Sequence, residues 1–100
     1  MFEYIKGELT VKKVDYIAID INGLAYKVYI SLKTYESLGD LGSNQKVYIY
    51  TNVKEDNISF YGFKSENERE LFRSLVSISG VGPKLALAIL STYNTKDVID

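Results

Sequence analysis

Five consecutive residues, Gly80-Val81-Gly82-Pro83-Lys84, concentrate the chemistry of this chain. Glycine accepts positive φ and lets a second backbone approach closely, and proline is pre-set for the first position of a helix. The spacing predicts a tight turn that opens a helix, with free N–H groups and one ammonium directed at a common point. That is an anion site, and phosphate is the anion it suits. Pro83 has no N–H, so the donors are expected at Gly80, Gly82 and Lys84, with Ser79 beside them and the Lys84 ammonium adding charge. A second grouping, Glu55-Asp56, lies within the polar stretch Lys54-Glu55-Asp56-Asn57. Adjacent carboxylates make a solvated turn or, where further acidic ligands converge, a Mg2+ site for phosphodiester hydrolysis. Taken alone, the pair reads as the turn.

Composition narrows the chemistry further. The 100 residues contain no Cys and no His. Structural disulfides, thiolate nucleophiles and imidazole catalysis are therefore excluded, as are zinc sites built from those ligands. The apolar fraction of 46% suffices for a packed core without staples. No apolar run has the length of a membrane span, and Met1-Phe2-Glu3-Tyr4 is no basic leader, so a cytoplasmic protein without a membrane partner is expected. No cofactor is expected either. The net charge is −1, with seven basic and eight acidic residues in positions 1–63 and five of each in 64–100. Neither part is a polycation, so nucleic-acid binding has to rest on local geometry and on multiple copies.

The elements that position these groups follow from the pattern. Phe2 to Leu9 is a candidate strand, and the alternating isoleucines of Tyr16–Ile21 predict a second. Asn22-Gly23 is a strong hairpin signal, after which Leu24, Tyr26, Val28 and Ile30 line one face of the returning strand. Ser31 to Leu41 reads as a short helix or irregular connection. Val47, Ile49, Thr51 and Val53 alternate as a further strand, and Ile58 to Phe63 is the last. Five short strands with one longer connection predict a small barrel of the OB type over residues 1–63.

Beyond it the period becomes helical. Ser65 and Glu68 predict a capping box, and Leu71, Phe72, Leu75 and Val76 a buried stripe, with Gly80 ending the helix. Lys84 to Leu90 is apolar enough to predict a helix covered on most sides. Asn94 or Thr95 is expected to cap a third helix still running at Asp100, the mark of a truncated product. Leu75, Ile78, Val81, Ala86, Ile89 and Leu90 fall where a helix-hairpin-helix motif needs packing, Val81 as the plug and Ala86 as the small contact residue. This predicts binding to the DNA backbone rather than to bases. Tyr48 and Tyr50 are placed on the outward face of their strand, where an OB barrel stacks single-stranded bases. Ordinary strand preference accounts for them as well.

In combination, the barrel, the Glu55-Asp56 turn, Tyr61-Gly62-Phe63, Glu70-Leu71-Phe72 and Gly80 through Leu90 resemble the RuvA family along the whole chain. The resemblance implies a homotetramer that binds four-way (Holliday) junction DNA and holds it open for branch migration in recombination, repair and the SOS response. It implies the RuvB motor ATPase as partner, docked through a C-terminal region absent here, with the RuvC resolvase as a further partner, and no catalysis by the chain itself. Glu55 and Asp56 match an acidic pin at the junction centre that repels phosphates. Gly80, Gly82, Lys84 and Ser79 fall in the first of two phosphate-gripping hairpins, within residues 64–100. Alternatives from the residues alone are a generic single-strand-binding OB module, a Mg2+-dependent nuclease and a structural oligomerisation domain.

Overall fold

The computed structural model of the protein describes residues 2–92. Five strands form a closed barrel: β1 (Tyr4–Lys12), β2 (Tyr16–Ile21), β3 (Leu24–Tyr29), β4 (Asn44–Lys54) and β5 (Asn57–Phe63). Their order is β1-β2-β3-β5-β4, with β4 returning to β1 and with β3 and β5 parallel. This is the expected five-stranded OB-type barrel followed by a helical segment. The Asn22-Gly23 turn forms as the sequence predicts, with φ of 54° and 91°. Helix α1 (Leu32–Ser37) spans the connection before β4, capped by Ser31, whose hydroxyl accepts from the Thr34 N–H.

Alternation along the strands fills the barrel. Ile5, Leu9, Ile17, Ile19, Val28, Ile30, Val47 and Ile49 point inward, and Leu38 closes the end beneath α1. The Tyr61-Gly62-Phe63 motif faces both ways at once. Gly62 points inward, where a Cβ would lie 2.5 Å from Val28 Cγ1 and 3.4 Å from Val47. Tyr61 and Phe63 point outward and build a second core with the helices.

Helix α2 (Glu66–Val76) and helix α3 (Pro83–Thr92) form a hairpin against that outer surface. Phe72 is its anchor, with ring centroids 5.1 Å from Tyr50, 5.3 Å from Tyr61 and 5.0 Å from Phe63. Burying one such aromatic contributes about 1.5–3 kcal/mol. Leu71, Leu75 and Val76 pack around it as their spacing predicts. A polar bolt also joins the two parts: buried Arg69 donates from Nη1 to the Glu3 carbonyl and from Nη2 to the Glu3 carboxylate, each at 2.7 Å. At the far end the Leu32 N–H donates to Ser91 Oγ at 3.0 Å.

Several expectations need correction. Strand β1 runs from Tyr4 to Lys12, a shift of two to three residues, and carries a bulge between Leu9 and Val11. Helix α2 ends at Val76, four residues before Gly80, with Ser77 as its cap, whose N–H is shared among the carbonyls of Arg73, Ser74 and Leu75. The capping box is one-sided. Ser65 Oγ accepts from the Glu68 N–H at 3.1 Å, but the Glu68 side chain turns inward and its Oε2 has no partner among the described residues. Helix α3 is covered on one side only. Ala86 and Leu90 are buried, whereas Leu85 is 50% exposed. The helix expected from Asn94 or Thr95 lies outside the described residues.

Candidate nucleic-acid interface

The turn between α2 and α3 is held by two backbone bonds, Val81 N–H to the Ile78 carbonyl and Ala86 N–H to the Gly82 carbonyl, both 3.0 Å. The second makes Gly82 the cap of α3, with Pro83 in the first helical position, where a missing N–H costs nothing. Val81 dips into the second core and Ala86 is fully buried between the helices. Leu75 and Leu90 pack as expected. Ile78 does not: it follows the end of α2 and is exposed, and Leu87 packs into the core.

The two glycines serve different ends. Gly80 has φ of 87°, a left-handed conformation that costs an L side chain roughly 1–2 kcal/mol. Gly82 has no positive φ, and a Cβ there would meet nothing within 4 Å. No atom of the described chain therefore excludes a side chain at position 82. Above the turn the N–H groups of Gly80, Gly82 and Lys84 have no acceptor among the described residues. Leu85 N–H, which the sequence reading did not include, joins them as the third residue of α3. Ser79 and Lys84 are exposed beside them, and Lys84 forms no ion pair among the described residues.

Glu55 and Asp56 form the two-residue turn between β4 and β5, with Lys54 opposite Asn57 as the last rung. Both are exposed. The turn supplies two carboxylates, and among the described residues no group of three metal-ligating side chains gathers there or elsewhere. Glu55-Asp56 and the hairpin residues occupy different parts of the fold, the tip of a strand pair and the head of α3.

Tyr48 and Tyr50 do face out of the barrel, but they meet protein. Tyr50 lies edge-on under Phe72, and Tyr48 sits beside Tyr4 with the Arg69 guanidinium 5.6 Å from its ring centroid. Tyr50 is therefore no free stacking platform. Burial raises the Tyr61 hydroxyl above its ordinary value, with Tyr29 and Tyr50 adding to the effect, so it stays a neutral donor. Among the described residues no helix is long and apolar enough to cross a membrane.

A barrel of this topology with a helical hairpin bolted to its flank, ending in an open glycine turn, defines an OB-type class with an appended helix-hairpin-helix. The chain belongs to the RuvA family: residues 1–62 match the model of the RuvA N terminal domain. It is 46% identical over 100 residues to the Holliday junction branch migration complex subunit RuvA of Fusobacterium nucleatum, covering all of this chain and 51% of that protein. The subunit of the same name from Acetivibrio thermocellus is 45% identical over 94 residues, covering 94% of this chain and 46% of the relative. That from Syntrophus aciditrophicus is 42% identical over 99 residues, 99% of this chain and 48% of the relative. The chain thus spans about half the length of these relatives.

Proposed function

We propose that this chain supplies the phosphate-gripping part of a protein that binds four-way DNA junctions and holds them open for branch migration. The observation that carries the reading is the open start of α3, where among the described residues the N–H groups of Gly80, Gly82 and Lys84 have no acceptor, Lys84 has no ion pair and no atom of the chain stands over Gly82. A phosphate oxygen accepts from Gly80, Gly82 and Lys84, with Ser79 at the margin, and the Lys84 ammonium neutralises its charge. The relatives' name, a branch migration complex subunit, supports this reading.

In it the protein is a non-catalytic subunit, and a partner motor ATPase, RuvB, moves the DNA. The chain's near-neutral charge then has a physical rationale. Each grip is weak, and a homotetramer presenting several of them to one junction multiplies the affinity without a polycationic surface. Glu55 and Asp56, brought together near the symmetry axis, repel phosphates at the crossover and so help to part the strands. The RuvC resolvase fits as a later partner acting on the same opened junction.

The test is Lys84→Glu in the full-length protein, with binding to a synthetic four-way junction measured across a salt series. The affinity falls and the slope of log K against log salt flattens by about 0.9 per lost phosphate contact. An unchanged affinity and slope would sink the assignment.

A further inference from the structure

Strands β4 and β5 continue past the barrel as a ribbon. Strand β3 pairs with β5 only at Phe60 and Tyr61, and Thr51 of β4 lies opposite Phe60. Beyond the Thr51–Phe60 rung the two strands pair only with each other, and the Glu55-Asp56 turn forms the tip. The parallel register would bring Tyr26 of β3 level with Ile58 of β5, but no backbone pairing joins the strands there. The seam between β3 and β5 is therefore open where the ribbon begins.

Phe2, just ahead of β1, fills that opening. Its ring meets Tyr26 edge-on with 6.0 Å between centroids and Phe60 with 5.5 Å, and Tyr26 and Phe60 are 6.3 Å apart. Edge-to-face contacts of this kind are directional as well as apolar. Phe2 also lines one hollow with Thr51, Val53, Ile58 and Phe60, so it stands at the root of the ribbon on its apolar face. The Thr51 hydroxyl in the supporting rung is buried without a hydrogen-bond partner among the described residues, so that rung depends on packing. The backbone beside Phe2 is firmly held, because Glu3 is tied to the Ile49 N–H and to Arg69.

We propose that Phe2 is a positioning residue for the acidic tip. Its ring takes the place of the missing β3–β5 rungs and fixes the direction in which the ribbon leaves the barrel. It thereby sets where the Glu55 and Asp56 carboxylates stand relative to the α2–α3 turn. The ring carries no polar atom, so it acts on the carboxylates only through the ribbon. The inference rests on the reading above, in which the two carboxylates act at the crossover, and adds the residue that aims them.

Phe2→Ala in the full-length protein tests it, with Phe2→Leu as the variant that keeps a bulky apolar side chain. Phe2 is 42% exposed, so the barrel survives its truncation. Amide hydrogen exchange is the direct readout. Phe2→Ala is expected to speed exchange in residues 52–59 about threefold to tenfold, the range for losing aromatic contacts of this kind, and to leave the β1–β2 rungs unchanged. Phe2→Leu restores most of the protection. On a synthetic four-way junction, Phe2→Ala leaves affinity and salt slope at the parent values. It shifts motor-driven branch migration in the same direction as Glu55→Gln with Asp56→Asn. Combined with those two substitutions it adds nothing further, which a general loss of stability would not reproduce. Unchanged exchange in the ribbon, or an effect of Phe2→Ala on branch migration that persists in full once the carboxylates are neutralised, overturns the assignment. If neutralising the carboxylates is itself silent on branch migration, the reading of the tip has failed, and exchange in the ribbon alone decides whether Phe2 holds it.

Discussion

The Glu3 carbonyl accepts two hydrogen bonds, one from the Ile49 N–H at 3.1 Å and one from Arg69 Nη1 at 2.7 Å. The first is the last backbone bond between the β1 end and β4, and the second comes from α2. One carbonyl thus joins the barrel ladder to the helical hairpin, and it sets where the α2–α3 turn stands relative to the strands.

Arg69→Met keeps most of the buried stem while removing the guanidinium. It is expected to cost about 1–3 kcal/mol, the range for hydrogen bonds to a charged group, read as a lower midpoint in urea unfolding. Glu3→Ala is expected to cost less, because the carbonyl bond and the 3.1 Å contact of Arg69 Nε with Glu70 persist. Equal losses for both variants would place the weight on the Glu3 carboxylate instead.

Gly80→Ala and Gly82→Ala separate folding from binding. Gly80→Ala forces an L side chain to φ of 87° and is expected to destabilise by roughly 1–2 kcal/mol. Gly82→Ala meets no atom of the chain and is expected to cost less, about 0.5–1 kcal/mol, for the poorer helix cap alone. In the proposed function its methyl group stands where a phosphate approaches, so junction affinity drops by more than the small change in the melting curve accounts for. A Gly82→Ala protein that melts early but binds normally would reverse the roles assigned to the two glycines.

Glu68 is 5% exposed, and burial raises its carboxyl above the ordinary range, partly offset by the Lys33 charge. A raised folded value means that the folded state favours the protonated form. The stability this contributes is complete below the unfolded carboxylate value, about pH 4. It is lost as pH rises through the folded value. Glu68→Gln removes that loss, so the variant should gain on the parent between acid and neutral pH and match it most closely at the acid end. Thermal melts across that pH range check it; a gap that widens toward acid instead would show that the Lys33 attraction outweighs burial.

Glu55→Gln with Asp56→Asn leaves the fold alone, since both side chains are exposed at a turn. Junction binding is expected to stay the same or tighten, and branch migration driven with the motor subunit is expected to change. Loss of binding would point to a role in folding or in holding a cation.

How much of this was legible depends on how local each feature is. Strand β2 and the Asn22-Gly23 turn are written in eight adjacent residues, and they form with the predicted bounds. The glycine turn at 80–82 is similarly local. Glu68 and Arg69 were not legible, because the helical period marks charged positions as outward. Arg69 meets the start of β1, 66 residues away along the chain, and Glu68 lies near the Lys33 charge, also far off in sequence. Coverage of α3 was misjudged for the opposite reason. Apolar composition shows that Leu85 can be buried, not that anything in the described chain covers it. Tyr50 faces outward as its strand period predicts, yet where Phe72 docks is a tertiary fact.

Lys54 lies three residues beyond Thr51, whose partner Phe60 is the outermost residue of β5 paired with β3, which puts the acidic tip about 10 Å beyond the last supported rung. Over that length the ribbon leans on no third strand, and Val53 and Ile58 on one of its faces are 68% and 61% exposed. The hairpin turn, by contrast, is clamped to the barrel by Phe72 and Arg69. The molecule therefore holds its two charges with different tolerances: the lysine on a fixed mount, the carboxylates on a sprung arm. In the proposed function, an arm of that kind follows a crossover that moves one base pair at a time without loosening the mount.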